Sequence, residues 1–257
     1  MAALPLREDD TGWYLYGVVA NDADRPAAAG VDPRDEVVVL AEGPVAGVAS
    51  RVSLNEFDEA ALAERLADPE WLEQKIRAHE QVVEAALAAG AVVPCRFCTV
   101  YRDERELRRF LSERGEALAE ALARVEGRVE LGVKAFGAPT GSASEASRAE
   151  SGRAYLEARR REQQERQERA RTRGEIAAQL HERLLAAAED GVVLALQSRD
   201  ASGREAEMLF NGAYLVADRG RFENTLAAIA RERDDVGLEL TGPWPPYNFV
   251  PEQLSRP

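Results

Sequence analysis

The chain has 257 residues, of which 45% are hydrophobic and 31% are charged. This length suits one large domain or two of ordinary size, and the composition is that of a globular protein. The 46 acidic and 33 basic residues give a formal net charge of −13, the wrong sign for sequence-independent binding to nucleic acid or to an anionic membrane surface. No apolar run reaches the roughly 18 residues of a membrane helix, which excludes a transmembrane protein.

The N-terminus and the small number of metal-binding residues exclude further classes of protein. The opening MAALPLREDDTGW has acids where a signal peptide needs a basic region and an apolar core, so we expect a cytoplasmic protein. Two cysteines and two histidines are little material for a metal site or a disulfide framework. The sequence has no phosphate-binding glycine loop and no G-x-S-x-G motif. We therefore expect no enzyme, no metal and no cofactor.

Residues 1–126 are predicted to form a mixed α+β domain. An aromatic run and two β-branched runs predict three strands. Ser53 and Glu56 have capping-box spacing, which predicts the start of a helix. Two longer helices are predicted to begin at the N-caps Asp68 and Asp103. The predicted strands are 13–19, 36–40 and 45–52, and the two long helices end near Gly90 and Val125.

The first long helix contains one of the two histidines. The predicted apolar face consists of Leu72, Ile76, His79, Val83 and Leu87. Because His79 lies on this face, we interpret it as a core histidine with a hydrogen-bond partner. The metalloprotease motif H-E-x-x-H would need a second histidine at the position that Val83 occupies, which argues against a zinc site here.

Residues 127–257 are predicted to form a ferredoxin-like domain with the order β-α-β-β-α-β. Its first strand, 129–135, alternates apolar and polar residues. A long charged helix is predicted at about 150–189, spanning roughly 60 Å if unbroken. The other predicted elements are strands at 192–197, 207–217 and 236–241 and a helix at 221–231.

The middle of the long helix, residues 157–175, is almost wholly polar. Glu-to-Arg pairs four residues apart, such as Glu165–Arg169, support a helix there. Such a segment gains little from packing, so it extends into solvent or lies against a partner. One alternative for the function is therefore a general adaptor that bridges proteins through this helix, although its middle has no heptad of apolar residues.

Three stretches of the sequence, taken together, resemble one known family. They are WYLYGVV (13–19), the run from AHE (78–80) through VVPCRFCTVYRD (92–103), and TGPWPPYNFV (241–250) with FNGAYLVAD (210–218) before it. The stretches occur in the family's order over nearly the whole chain, and the Gly-Pro-Trp-Pro-Pro-Tyr ending is a specific signature. The sequence is therefore similar to the gas-vesicle proteins of the F and L type.

The resemblance implies a non-enzymatic accessory or minor structural protein of gas vesicles, the gas-filled protein shells that give buoyancy. It implies that the protein assists shell assembly and associates with the small hydrophobic major shell protein and with other gas vesicle accessory proteins. Exposed sheet edges or aromatic patches are the expected contact surfaces. The resemblance also implies two domains, the second ferredoxin-like, in agreement with the boundary that the pattern predicts near residue 126.

The central motif departs from the family pattern at one position. Members usually read P-x-R-F-G-T, whereas Cys98 occupies the glycine position here, which raises the question of a special backbone angle. Cys95 and Cys98 have CxxC spacing, which suits a redox dithiol or half of a zinc site. We interpret them as buried structural thiols, with a thiol-disulfide oxidoreductase as the alternative function.

Five residues of the two most distinctive motifs are candidates for partner binding. A carboxylate is expected to pair with Arg96, and Glu80 is the candidate within the chain, with a contact to another protein as the alternative. The Pro-rich tail, 242–257, is expected to run extended because its prolines fix φ and remove donors. Its aromatic side chains either pack back on the chain or form a docking patch. The candidates are Arg96, Phe97, Trp244, Tyr247 and Phe249.

Overall fold

The computed structural model describes residues 11–137, 152–198 and 206–255, and over residues 152–158 it describes the backbone alone. Within these residues the chain is a mixed α+β protein with two sheets, which confirms the predicted class. None of the helices in these ranges combines the length and the apolar character that crossing a membrane requires.

The contacts within the chain define two compact units. Unit 1 combines the chain up to Glu130 with the segment from Trp244 onward, and unit 2 is Leu131–Pro243. The sequence analysis placed the tail in the second domain, whereas the structure assigns it to unit 1 from Trp244 onward. The physical reason is that Leu254 is buried in a core cluster of unit 1, a contact that order along the chain does not reveal.

Unit 1 contains a five-stranded antiparallel sheet. Its strands are β1 (Thr11–Ala20), β2 (Val38–Glu42), β3 (Val45–Ser53), β4 (Val93–Pro94) and β5 (Val100–Tyr101). The spatial order is β2-β3-β1-β4, with β5 also paired to β1. Strand β1 pairs with β3 along its whole length, from Thr11 opposite Ser53 to Ala20 opposite Val45. The aromatic motif that forms β1 therefore lies inside the sheet.

Two long helices cover the two faces of this sheet. The helices of unit 1 are α1 (Leu54–Phe57), α2 (Glu59–Arg65), α3 (Pro69–Ala89) and α4 (Glu104–Val125). Tyr14 packs in one core cluster with Val83 of α3, whereas Leu15 packs in the other with Leu107 of α4. Successive side chains of a strand point to opposite faces, so both faces of β1 are buried.

The predicted N-caps of the two long helices are confirmed. The Asp68 carboxylate accepts hydrogen bonds from the backbone N–H groups of Glu70 (3.1 Å) and Trp71 (3.3 Å). The Asp103 carboxylate accepts one from the N–H of Glu106 (2.7 Å). These side chains satisfy donors that the first turn of a helix leaves free.

The predicted capping box at Ser53 is wrong. Ser53 makes no side-chain capping bond, and the helix it precedes has only four residues. Glu56 accepts a hydrogen bond from Trp71 Nε1 (2.7 Å) and pairs with Lys75 Nζ (2.8 Å), so its carboxylate does not reach back to Ser53. A contact distant in sequence has replaced the local one.

The predicted apolar face of α3 is wrong at one position. Ile76 is 39% exposed, whereas Lys75 is 7% exposed. The buried lysine donates to the Val31 carbonyl (2.8 Å) and pairs with Glu56, so its charge is not left unpaired. The face that points into the core consists of Trp71, Lys75, His79, Val82, Val83 and Ala86.

The second sheet has four strands. The elements along the chain are β6 (Val129–Gly137), α5 (Gly152–Leu185), β7 (Asp190–Val193), β8 (Met208–Val216), α6 (Arg219–Glu232) and β9 (Val236–Trp244). The spatial order of the strands is β7-β8-β6-β9. Strands β7 and β8 are antiparallel, with Asp190 opposite Leu215 and Val193 opposite Gly212. Helix α5 ends at Leu185, short of the predicted 189, and the Glu189 N–H donates to the Leu215 carbonyl of β8 (2.8 Å).

Most of α5 is exposed to solvent. Residues 159–172 are all exposed, and burial begins toward the C-terminal end with Leu180 and Leu184. The predicted Glu165–Arg169 pair is present at 3.5 Å. Ion pairs within the helix are what a solvated polar helix requires, so this segment gives the adaptor alternative no separate support.

Candidate functional site

Three of the sequence motifs, 13–19, 78–103 and 241–250, meet in unit 1 around one buried side chain, His79, which is 1% exposed. Strand β1 supplies Tyr14, helix α3 supplies His79 and Glu80, and the segment after β9 supplies Tyr247. The loop between β4 and β5 supplies Cys98. The sequence predicted that His79 would have a partner in the core, and the structure identifies two.

A directed chain of hydrogen bonds runs through these groups. The Tyr247 hydroxyl donates to Glu80 Oε1 (3.1 Å), so its oxygen accepts from His79 Nε2 (3.1 Å). His79 therefore carries its proton on Nε2, and Nδ1 accepts from the Tyr14 hydroxyl (3.0 Å). The Tyr14 oxygen in turn accepts from the backbone N–H of Cys98 (2.9 Å). Each donor in the chain has one acceptor.

Burial determines the charges along this chain. It lowers the pKa of His79 to about 4, so the imidazole is neutral at neutral pH. Burial also raises the pKa of the Tyr14 hydroxyl well above its ordinary value and raises that of Tyr247, so both remain protonated. The pKa of Glu80 is raised by burial, against the effect of the Tyr247 hydrogen bond. The chain of hydrogen bonds therefore joins neutral groups and ends at the carboxyl group of Glu80.

The segment from Trp244 onward is held at further points in unit 1. Glu130, which is 6% exposed, accepts hydrogen bonds from the backbone N–H (2.9 Å) and the side-chain amide (2.6 Å) of Asn248. The Ser255 carbonyl accepts from the Arg96 N–H (3.1 Å) and from the Thr99 hydroxyl (3.4 Å). The central motif and the segment from Trp244 onward are therefore joined by backbone as well as side-chain bonds.

The expected extended conformation of the tail is wrong beyond Trp244. Two short 3-10 helices form, Tyr247–Phe249 and Glu252–Leu254. Each follows a proline, Pro246 with φ −78° and Pro251 with φ −55°. A proline ring fixes φ near the helical value and needs no donor at a helix start, so these prolines initiate turns.

Four of the five candidate residues for partner binding take part in contacts within unit 1. Arg96 pairs with Glu252 (3.4 Å) and not with the predicted Glu80, whose carboxylate is taken by Tyr247. Phe97 is half-buried and stands edge-on to His79, with ring centroids 5.9 Å apart. Tyr247 lies in the hydrogen-bond chain, and Phe249 is buried.

Two of the five candidates present exposed side chains. The Arg96 side chain is 50% exposed, and Trp244 is 44% exposed. Trp244 is among the few large apolar residues of the described chain that are exposed to this degree. Arg96 therefore both makes a contact within unit 1 and is exposed, whereas no contact within unit 1 is described for Trp244.

The two cysteines are unsuited to thiolate chemistry. Burial raises the pKa of Cys95 and of Cys98 to about 12, so both thiols are protonated at neutral pH. A redox dithiol needs a lowered pKa, and the oxidoreductase alternative gains no support from this site. In the described ranges no group of three or more His, Cys, Asp or Glu side chains is arranged to hold a metal ion.

The backbone at Cys98 answers the question raised by the sequence. Its φ is +63°, and it is the only residue other than glycine with a positive φ in the described part of the chain. A side chain with a Cβ is strained in this left-handed region. The glycine usual in the family motif fits this angle without strain.

Comparisons with known proteins identify the class to which this fold and these motifs belong. The crystal structure of the gas vesicle protein GvpF from Anabaena sp. PCC7120 has a TM-score of 0.71 at 18% identity, over 94% of this chain and 96% of that one. GvpF from Microcystis aeruginosa has a TM-score of 0.64 at 18% identity, over 93% of this chain and 99% of that one. The chain therefore has the fold of gas vesicle proteins of the F type.

Sequence comparison gives the family itself. The family model described as "Gas vesicle synthesis protein GvpL/GvpF" matches residues 12–251. Gas vesicle protein L of Streptomyces sp. (strain CB03234) is 34% identical over 249 residues, 92% of each chain. Gas vesicle protein F2 of Halobacterium salinarum is 26% identical over 244 residues, 92% of this chain and 91% of that one. The chain belongs to the GvpL/GvpF family, which confirms the resemblance seen in the sequence.

Proposed function

We propose that this protein is a non-enzymatic accessory or minor structural protein of gas vesicles. It assists assembly of the shell by binding the small hydrophobic major shell protein, and it acts with other gas vesicle accessory proteins at the gas vesicle in the cytoplasm. The observation that carries the proposal is the match to a gas vesicle synthesis family over residues 12–251. The net charge of −13 supports it, since a strongly charged protein keeps a hydrophobic partner in solution.

Unit 2 is proposed to have the ferredoxin-like arrangement, as a domain distinct from unit 1. Two observations support this. The elements from β6 to β9 follow the order β-α-β-β-α-β along the chain. In the sheet, the first and third of these strands are central and the second and fourth are at the edges.

Two surfaces are proposed to contact partners. The first consists of Arg96 and Trp244, the exposed members of the two motifs, whereas the other candidates, Phe97, Tyr247 and Phe249, are half-buried or buried in unit 1. The second is the edge strand β7 in unit 2, where Val193 is 58% exposed. An edge strand offers backbone groups to an added strand, and tryptophan and arginine are enriched among binding hot spots.

Co-purification with the shell protein tests the proposal. Both proteins are expressed together in a host without gas vesicles, and the shell protein recovered in soluble complex is measured. Recovery of the complex is the expected result, and recovery of the shell protein only in the pellet would contradict the proposal. Arg96→Ala with Trp244→Ala tests the first surface, and Val193→Lys tests the edge, since lysine discourages strand addition. If either variant recovers as much soluble complex as the unaltered chain, the surface that it alters does not contact the shell protein.

A further inference from the structure

A groove in unit 1 lies outside both proposed contact surfaces. It has a volume of about 390 Å³ and is bordered by the C-terminal ends of α3 and α4. Short or apolar side chains line much of it, among them Val19, Pro44, Ala86, Ala119 and Leu122. This volume falls within the range of ligand pockets, about 300–1,000 Å³. The short side chains leave space that an inserted apolar side chain would fill.

The charges around the groove have one sign. Asp22, Asp24 and Glu126 are among its lining residues and all three are exposed. Among the described residues that line the groove, none is basic. The groove therefore combines an apolar floor with a negative rim.

The end of α3 adds to this negative potential. Ala89 and Gly90, at the end of the helix, line the groove, and the last turn of α3 contains no basic residue. The last carbonyl groups of a helix have no partners within it and carry partial negative charge, which favours a cation nearby. The end of α4 differs, because Arg128 donates to the carbonyls of Arg124 (2.9 Å) and Glu126 (3.1 Å).

We propose that this groove docks a segment of the gas vesicle shell protein in which apolar side chains flank a lysine or arginine. The proposal rests on the proposed function and assigns it a binding site. The apolar side chains occupy the floor, and the cation faces the three carboxylates and the end of α3. Charge complementarity of this kind fixes the register of a docked segment and disfavours an acidic one.

A pair of alanine variants tests the floor of the groove. Ala88 and Ala89 are adjacent and both exposed in the last turn of α3, but only Ala89 lines the groove. Ala89→Trp fills the groove, and we expect the shell protein recovered in soluble complex to fall about tenfold or more. The matched control, Ala88→Trp, is expected to recover as much complex as the unaltered chain.

A second pair of variants tests the rim without changing the shape of the groove. The triple variant Asp22→Asn, Asp24→Asn and Glu126→Gln removes the negative charges of the rim. The control removes three exposed acids that do not line the groove, in the triple variant Glu59→Gln, Glu64→Gln and Glu116→Gln. The rim variant is expected to weaken the complex several-fold and to reduce its sensitivity to salt, because fewer charges meet across the interface.

The outcomes separate this inference from the function on which it rests. If the unaltered chain forms no complex with the shell protein, the proposed function fails, and the groove assignment fails with it. If the unaltered chain forms the complex and both groove variants recover it fully, the function stands and the groove assignment is overturned. Thermal unfolding of each variant, compared with its control, shows that a loss of complex is not a loss of folding.

Discussion

Cys98 combines a left-handed backbone angle, φ +63°, with a side chain that has a Cβ. Removing the Cβ relieves strain of the order of 1 kcal/mol. At an ordinary position the preference is opposite, since glycine is about 0.5–1 kcal/mol less stabilising than alanine. The sign of the difference between glycine and alanine therefore reports the backbone angle.

The first prediction follows from that sign. Cys98→Gly should have a free energy of unfolding about 1 kcal/mol higher than Cys98→Ala, measured by denaturant titration. Both variants lose the thiol, so the comparison isolates the Cβ. The control is Ala117→Gly on the exposed face of α4, which should destabilise by up to about 1 kcal/mol. A higher stability for Cys98→Ala would contradict the left-handed angle.

Two tyrosine hydroxyl groups provide the second prediction. The Tyr247 hydroxyl bonds to His79 and Glu80, whereas the Tyr101 hydroxyl is the one buried side-chain polar atom without a partner in the described residues. Tyr247→Phe should destabilise unit 1 by about 1–3 kcal/mol, because the buried His79 and the half-buried Glu80 each lose a partner. Tyr101→Phe should leave stability unchanged or raise it. Equal losses in the two variants would refute the hydrogen-bond chain.

The third prediction concerns the pH dependence of stability. Burial depresses the pKa of His79 to about 4, below the ordinary value of 6.5. The unfolded chain therefore binds a proton that the folded protein excludes as pH falls from 7 to 5. His79 should make the protein about 2 kcal/mol less stable at pH 5 than at pH 7. The raised pKa of Glu80 and of Glu130 acts in the opposite sense.

A His79→Gln variant isolates the contribution of the imidazole. The two glutamates titrate in both proteins, so their effect cancels when the variant is compared with the unaltered chain. The variant should lose about 2 kcal/mol less between pH 7 and pH 5, measured by denaturant titration at each pH. The same slope in both proteins would show that His79 is not a buried neutral group.

At the scale of the elements, helices and strands were predicted correctly where they depend on residues close together in the sequence. The aromatic run of β1 and the N-caps Asp68 and Asp103 depend on neighbouring residues, and all three formed as predicted. The buried face of α3 includes Lys75, which is paired with the Val31 carbonyl and with Glu56. Residue type alone predicts an exposed lysine, so the sequence pattern assigned the wrong residue to this face.

The return of the tail to unit 1 was also beyond prediction from local pattern. It depends on Glu130, His79 and the central loop, which are more than 100 residues away in sequence. The motif signal was nevertheless present, because three of the segments that resembled one family, those at 13–19, 78–103 and 241–250, meet around His79. The motifs could be recognised in the sequence, whereas the contacts between them could be identified only in the structure.

The exposed helix α5 gives a prediction at this scale. Gly174 is in the helix interior, and a Cβ added there would meet no atom within 4 Å apart from its neighbours in the helix backbone. Gly174→Ala should therefore stabilise the helix by about 1 kcal/mol, measured as slower hydrogen exchange in residues 159–173. In the control Gly115→Ala on α4, the added Cβ would be 3.3 Å from Pro44 Cδ, so crowding offsets the gain. Unchanged exchange with Gly174→Ala would show that the segment is not helical in solution.

Two properties describe the whole molecule. It carries a large negative net charge, and its motifs hold the segment from Trp244 onward against the earlier part of unit 1. Its net charge of −13 and the negative groove both favour a partner that is apolar and basic. The family match covers both units, from residue 12 to residue 251. The proposed role in shell assembly therefore concerns both units.

The most direct test of that role is reconstitution of gas vesicles. A set of gas vesicle genes is expressed in a host that has none, with and without the gene for this chain, and vesicles are counted by electron microscopy. Vesicles are expected to form with the unaltered chain, and few or none are expected without it. Vesicles of normal number and shape in the absence of the chain would contradict the central claim.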